Sequence, residues 1–275
     1  MKEIAVIYLL RESNNINLIK KFLNSYIKYD AGIEHTLVLI LKGFKNNSLD
    51  TNSANLLKNF NYLPIYIDDT GFDLDAYFNT ANKFNYDYYI FFNSYSEILS
   101  ENWLLKYYNI CSKEHVGIVG ATGSYESPTR NWREEYFIKK NIYSFTIIKW
   151  LKLFKHLIYL KFLYPEFPNP HIRTNAFMIC SKNLKMIKYN FNLNRDQALQ
   201  LESGKNSITN QLIKLKLLPL IIDKNGKSYN IVNWKESATF RWSNQENLLI
   251  SDNRTNMFYN LNNFQKKKLI DITWF

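Results

Sequence analysis

The first 120 residues impose the tightest constraint on this chain, because short continuous apolar runs alternate there with segments whose apolar residues recur at helical spacing. Ile4–Leu10, Thr36–Leu41, Leu63–Ile67, Tyr88–Phe92 and Val116–Val119 have strand length and are rich in β-branched and aromatic residues. Between them, Ile16–Tyr29, Ala54–Phe60, Leu74–Phe84 and Ser100–Cys111 read as helices, with Ser100 as the cap of the last. A strand that is apolar at every position is covered on both faces, and the intervening helices supply the cover. The pattern therefore predicts an α/β fold with a mostly parallel central sheet flanked by helices. Such sheets bind ligands outside the carboxyl ends of their strands, so chemistry is expected just after each run.

Residues 134–163 break the rhythm. Trp150, Leu151, Phe154, Leu157, Ile158 and Phe162 recur at helical spacing, while Lys149, Lys152, Lys155 and Tyr159 fall on another face. A basic amphipathic helix of this kind can lie on an anionic membrane, pack on its own domain or form a dimer contact. Pro165, Pro168 and Pro170 end this insertion. Beyond them, Thr174–Ile179 and Leu218–Ile222 read as strands. Lys182–Tyr189, Ser207–Leu217 and Asn260–Leu269 read as helices, and Ser207 is a cap.

Composition narrows the function classes. Hydrophobic residues make up 46% of the chain and there are only 8 Gly and 6 Pro, which excludes a disordered chain. The formal net charge of +11 fits an anionic partner (nucleic acid, membrane or phosphorylated substrate) and equally a solvated surface rich in Lys and Asn. No helix-turn-helix, zinc-ligand or RRM signature accompanies it, so no nucleic-acid partner is expected. Cys111 and Cys180 form neither a metal spacing nor a disulfide framework, which fits a reducing, cytoplasmic compartment. The short N-terminal apolar stretch meets Arg11 and Glu12 and reads as a strand, not a leader.

Several polar clusters sit where chemistry is expected. Asn93, Ser94, Tyr95, Ser96 and Glu97 follow the fourth run, ahead of Asn102-Trp103-Leu104. Asp68, Asp69, Asp73 and Asp75 follow the third; Asp75 reads as a first-turn residue complementing the helix dipole. Gly120–Ser127 is a small-residue loop, either lining a substrate or simply turning. His171, Arg173 and Asn175 precede a strand. Arg173 is the better anion ligand and His171 the more ordinary structural residue. Glu202, with Lys205 and Asn206, precedes the Ser207 helix, where it serves as a general base or complements a helix N-terminus. Arg241 and Arg254 stand in the polar C-terminal segment.

The order of these clusters resembles that of GT-A glycosyltransferases, especially the family 2 type. It is also similar to a group of bacterial glycosyltransferase-like proteins with Asn-Ser, His-x-Arg-Thr-Asn-Ala-Phe, Glu-Ser-Gly and Asp-Asn-x-Thr stretches. The resemblance covers most of the chain outside 127–167. It implies a single GT-A-like domain over 1–275, with a nucleotide-donor half over 1–125, a helical basic insertion over 127–167, and an acceptor half with a C-terminal segment over 168–275. It implies transfer of a sugar from a nucleotide-sugar donor to a saccharide or lipid-linked acceptor, in bacterial surface polysaccharide synthesis such as capsule or lipooligosaccharide, with inversion. Glu202 inherits the place of the catalytic base. Asp69, Asp73, Asn93, Ser94, Glu97, Arg241 and Arg254 fall on the donor side, and Arg173, Asn175 and Lys205 on the acceptor side. The family's acidic metal motif is reduced here to Glu97, so a divalent cofactor, Mn²⁺ or Mg²⁺, would rest on one carboxylate. A non-catalytic nucleotide- or glycan-binding module on the same scaffold stands as the alternative, with a basic nucleic-acid-binding protein behind it. A basic 134–163 segment would hold such an enzyme at the inner face of the membrane as a peripheral protein.

Overall fold

A computed structural model of the chain describes residues 2–130, 147–190 and 193–275. The amino-terminal part runs β1 (Ile4–Arg11), α1 (Ile16–Lys28), β2 (Thr36–Lys42), α2 (Thr51–Leu57), β3 (Leu63–Ile67), α3 (Asp73–Ala81) and β4 (Tyr88–Phe92). It continues through β5 (Glu97–Ile98), α4 (Trp103–Cys111), β6 (Val116–Gly120) and β7 (Gly123–Ser124). Of the basic insertion, α5 (Ile147–Leu163) is a helix, while 134–146 lies outside the described residues. Then come β8 (His171–Ile172), β9 (Ala176–Cys180), α6 (Ser181–Met186), α7 (Arg195–Ser203), α8 (Ile208–Lys214), β10 (Leu218–Ile222) and β11 (Ser228–Tyr229). The chain closes with β12 (Ile250–Ser251), α9 (Asn253–Tyr259) and α10 (Asn263–Trp274).

The expected α/β architecture is present. One eight-stranded sheet runs β11-β10-β6-β9-β4-β1-β2-β3. β1 is parallel to β2 and β4, β2 to β3, and β6 to β10. Both faces are covered: Ile4, Val6, Tyr8 and Leu10 join one buried cluster, and Ala5, Ile7 and Leu9 the other. That is why these runs are apolar without alternation.

β9 departs from the parallel rule and runs antiparallel to both β4 and β6. The reversal matters for function. It carries the residues before β9 to the edge where the residues after β4 emerge, and the Asn93 amide donates to the Asn175 carbonyl at 3.0 Å. The strand order also turns at β1, between β2 and β4, which creates the crevice in which such sheets seat ligands.

Local chemistry sets two helix starts and one further helix. Asp50 accepts from the Asn52 and Ser53 amides, so α2 begins at Thr51, earlier than the apolar spacing suggests. Ser100 is not a cap. Its hydroxyl donates to the Lys224 carbonyl, and α4 starts after Asn102 in a left-handed conformation. Helix α7 was not anticipated, because Arg195–Ser203 has no clear apolar period. Its start is defined by Asn194, which accepts from the Gln197 amide at 2.9 Å. Ser207 caps α8 as expected, accepting from the Asn210 amide at 3.2 Å.

The small-residue loop after β6 is set by close packing. β7 pairs with β8, and a Cβ on Gly123 would stand 2.5 Å from the fully buried Trp234 ring. Gly123→Ala is therefore expected to cost about 1–3 kcal/mol in chemical denaturation. A loss near zero would mean that Trp234 is free to retreat.

Candidate active site

The carboxyl ends of β1, β2 and β3 deliver a compact charged group. Arg11, the last residue of β1, donates to the Asp73 carboxylate at 2.7 Å. Lys42, the last residue of β2, is buried and donates to the Gly71 carbonyl at 2.7 Å. Burial holds the Lys42 ammonium below the usual lysine value, Arg11 pushes the same way, and Asp73, Asp69 and Asp75 oppose both. Asp69 packs against Gly43, whose φ of +82° favours glycine. Asp75 has the framework role expected of it, accepting from the Leu193 amide at 2.8 Å and closing the start of α3 through Phe72.

The strand-end motif after β4 folds as a turn. The Asn93 side-chain oxygen accepts from the Tyr95 amide and the Ser96 hydroxyl, each at 3.0 Å. Ser94 ties the motif to β1: its hydroxyl donates to the Leu9 carbonyl, while its own carbonyl accepts from Tyr8. Glu97 pairs with Lys21 of α1 at 2.6 Å and accepts from Ser251 at 3.2 Å.

Across the crevice, two arginines are buried in ion pairs. Arg173 pairs with Asp252 at 2.6 Å, donates to Thr122 at 3.1 Å and stacks over Phe240. Arg241 pairs with Glu126 at 2.6 Å and donates to Thr273. Burial raises the affinity of Glu126 for its proton, but Arg241, His171, Arg254 and Arg173 more than offset this and keep it ionised. Arg254 is exposed and acts on both Glu126 and Arg241 through its charge. Among the described residues its guanidinium enters no ion pair. The Asn175 side-chain oxygen accepts from Thr122, and its buried amide nitrogen has no partner among the described residues.

His171 and Glu202 meet beside these pairs. The His171 Nδ1 faces the Asn169 carbonyl at 2.8 Å, which assigns the proton to Nδ1 and leaves Nε2 as an acceptor. Burial lowers the imidazole's proton affinity against the pull of Glu202, the Asn169 carbonyl and Glu126. Glu202 is half-buried, and its Oε1 accepts from the Thr174 amide at 3.2 Å. It lies in the last turn of α7, not at the start of a helix. A carboxylate there opposes the helix dipole, so Glu202 does not complement a helix N-terminus. Lys205 is exposed, and its amide donates to the Leu163 carbonyl at the end of α5.

The two groups act on one buried hydroxyl. The buried Tyr77 hydroxyl, which has no partner among the described residues, feels the charges of Asp73, Arg11 and Glu202 together. Arg11 and Lys42 were not singled out by sequence, although both end a buried strand, the position where ligands are expected. Glu126 and Tyr77 carried no such signal.

The described residues do not form a metal centre. No cluster of three or more His, Cys, Asp or Glu side chains occurs among the described residues, and the Glu97 carboxylate is bonded to Lys21 and Ser251.

No family model and no curated protein matches the chain. Among solved structures, it is similar to the mannosyltransferase PcManGT from Pyrobaculum calidifontis in complex with GDP-Man and Mn²⁺, at 9% identity and a TM-score of 0.47. That match covers 87% of this chain and 59% of that one. Over 43% of its length it is similar to S. aureus TarS 1–349 in complex with UDP-GlcNAc, at 17% identity and a TM-score of 0.33, covering 33% of that chain. It is also similar to GalNAc-T7 with UDP, GalNAc and Mn²⁺, at 18% identity and a TM-score of 0.34, covering 43% of this chain and 22% of that one. In each case the chain spans less than two thirds of the protein it matches.

Proposed function

We propose that the chain is a glycosyltransferase that moves a sugar from a nucleotide-sugar donor to a hydroxyl acceptor by a single inverting displacement. One observation carries this reading. Arg11, Lys42, Asp69 and Asp73 emerge at the carboxyl ends of β1, β2 and β3, beside the switch point of the sheet, and the buried Tyr77 hydroxyl lies within electrostatic reach of Arg11, Asp73 and Glu202 together. Cations paired with aspartates suit a ribose diphosphate, and a nearby carboxylate suits an attacking hydroxyl.

In this mechanism Asp69 and the free oxygen of Asp73 bind the nucleoside hydroxyls. Glu202 takes the proton of the acceptor hydroxyl as its oxygen bonds to the anomeric carbon, and the bond to the nucleoside diphosphate breaks on the opposite face. Arg11, Lys42 and the exposed Arg254 take the charge that develops on the leaving diphosphate. Arg241 acts behind them, by holding Glu126. Asn93, Ser94 and Glu97 shape the floor of the donor side, while Arg173, Asn175 and Lys205 shape the acceptor side. The acceptor class that fits the sequence resemblance is a growing bacterial surface polysaccharide or a lipid-linked sugar.

Calorimetric titration with UDP, GDP, CDP, CMP and dTDP, each with Mn²⁺, Mg²⁺ or EDTA, tests the donor site. One nucleotide is expected to bind at micromolar Kd, about −8 kcal/mol. Arg11→Ala should weaken it by about tenfold or more, the loss of one charge-assisted contact. Silence in every condition would remove the transferase reading. A second reading, a non-catalytic nucleotide- or glycan-binding module, is favoured by the commitment of Glu97 to Lys21 and Ser251. It requires nucleotide or glycan binding without turnover.

A further inference from the structure

Helix α5 packs on the domain by a narrow face. Leu153 and Leu160, seven residues apart, are its buried side chains. The opposite side is apolar as well: Ile147, Leu151, Phe154, Ile158 and Phe162 follow the spacing of a single helical stripe, and all are exposed. Ile147 is 81% exposed and Phe162 77%. A surface helix normally turns such a stripe inward.

Charge identifies the occupant. The 17 residues of α5 hold Lys149, Lys152, Lys155 and Lys161 and no acidic residue. At 100° per residue, Lys152 and Lys155 fall on one flank of the stripe; Lys161, on the other, pairs with Glu166 at 2.7 Å. A second copy docked by this face would bring lysines against lysines. An anionic bilayer would instead receive the stripe into its acyl boundary and the flanking ammonium groups among its phosphates. No helix among the described residues is long and apolar enough to cross a membrane, so the contact is one of lying on the surface.

We infer that α5 docks the protein on an anionic lipid surface, with the Ile147–Leu151–Phe154–Ile158–Phe162 stripe inserted and Lys152 and Lys155 at headgroup level. This docking stands independently of the transferase reading. With that reading it acquires a direction, because the Leu163 carbonyl at the end of α5 holds the amide of Lys205, three residues after Glu202. The docked helix places the Glu202 wall of the crevice beside the lipid, where a lipid-linked acceptor would present its hydroxyl.

Co-sedimentation of the full chain with phosphatidylglycerol–phosphatidylcholine vesicles and with pure phosphatidylcholine vesicles tests this. Binding to the anionic vesicles is expected, with more than about tenfold weaker partitioning onto neutral ones. Ile158→Asp with Phe162→Asp, and separately Lys152→Glu with Lys155→Glu, should each lower anionic-vesicle partitioning by about tenfold or more. Both variants change exposed side chains, and an unchanged thermal melt shows that the fold is kept. Wild-type protein that stays in the supernatant overturns the inference, as does undiminished binding by both variants. A concentration-dependent dimer that Ile158→Asp dissolves would put a second copy on the stripe and overturn it too. None of these outcomes alters the nucleotide titration, which judges the donor site alone.

Discussion

Glu202→Gln should lower kcat for sugar transfer by about 10²- to 10⁴-fold, the usual contribution of a positioned general base, and leave nucleotide affinity within about twofold. Glutamine keeps the side-chain length and an oxygen for the Thr174 amide, so only the proton acceptor is lost. The location of the carboxylate makes this the most informative substitution. It sits in the last turn of α7, where the dipole disfavours it, and beside a buried imidazole whose protonated nitrogen is turned away toward Asn169. Transfer is measured with the nucleotide sugar of whichever base binds by calorimetry. Unchanged kcat would take the base away from Glu202, and the free acceptor Nε2 of His171 would become the next group to test.

The sequence reported the sheet well and the site unevenly, for a physical reason. Strands buried on both faces must be apolar throughout, so the five early runs declare themselves, and their ends mark the functional edge. The rule that chemistry follows a strand singles out Asp69, Asp73 and Asn93 as candidates. It applied equally to Arg11 and Lys42, whose place at the ends of β1 and β2 was the available signal. β9 inverts the rule: being antiparallel, it brings Arg173 and Asn175 to the edge from its beginning, and strand direction is invisible in a single run of apolar residues. Pairings across long separations were equally hidden. Nothing local to Arg241 announces Glu126, 115 residues away. Local turn chemistry explains the remaining differences. The sequence leaves Asn93 and Ser94 either as turn and cap formers or as donor contacts; the Asn93 oxygen and the Ser94 hydroxyl are bonded within the protein.

Asp252→Asn should destabilise the fold by about 3–5 kcal/mol at neutral pH, because it leaves the Arg173 guanidinium buried without its counter-charge. The pair is 2.6 Å apart, and the two side chains are 7% and 1% exposed. Asparagine is chosen because Asp252 also caps α9, accepting from the Thr255 amide at 2.8 Å, and asparagine caps as well as aspartate. The loss then reports on charge alone. Arg173→Met should cost a similar amount, and the double variant much less than the sum, since neither charge is then left unpaired. The pH dependence follows from the same contacts. Burial pushes the Asp252 carboxyl up, but Arg173 and the Thr255 amide and hydroxyl hold it below the usual aspartate value. A depressed carboxylate stabilises the fold above its unfolded value, about 3.9, and that stabilisation disappears as pH falls through the lower folded value. The gap between wild type and Asp252→Asn, read by urea denaturation, should therefore be widest above pH ~4 and narrow below it. His171 acts on both proteins alike: buried and neutral, it loses stability to the unfolded chain as pH drops below about 6.5, so its contribution cancels in the difference. A gap smaller than about 1 kcal/mol at neutral pH, or one that does not change with acid, would show that water reaches Arg173 and screens the pair.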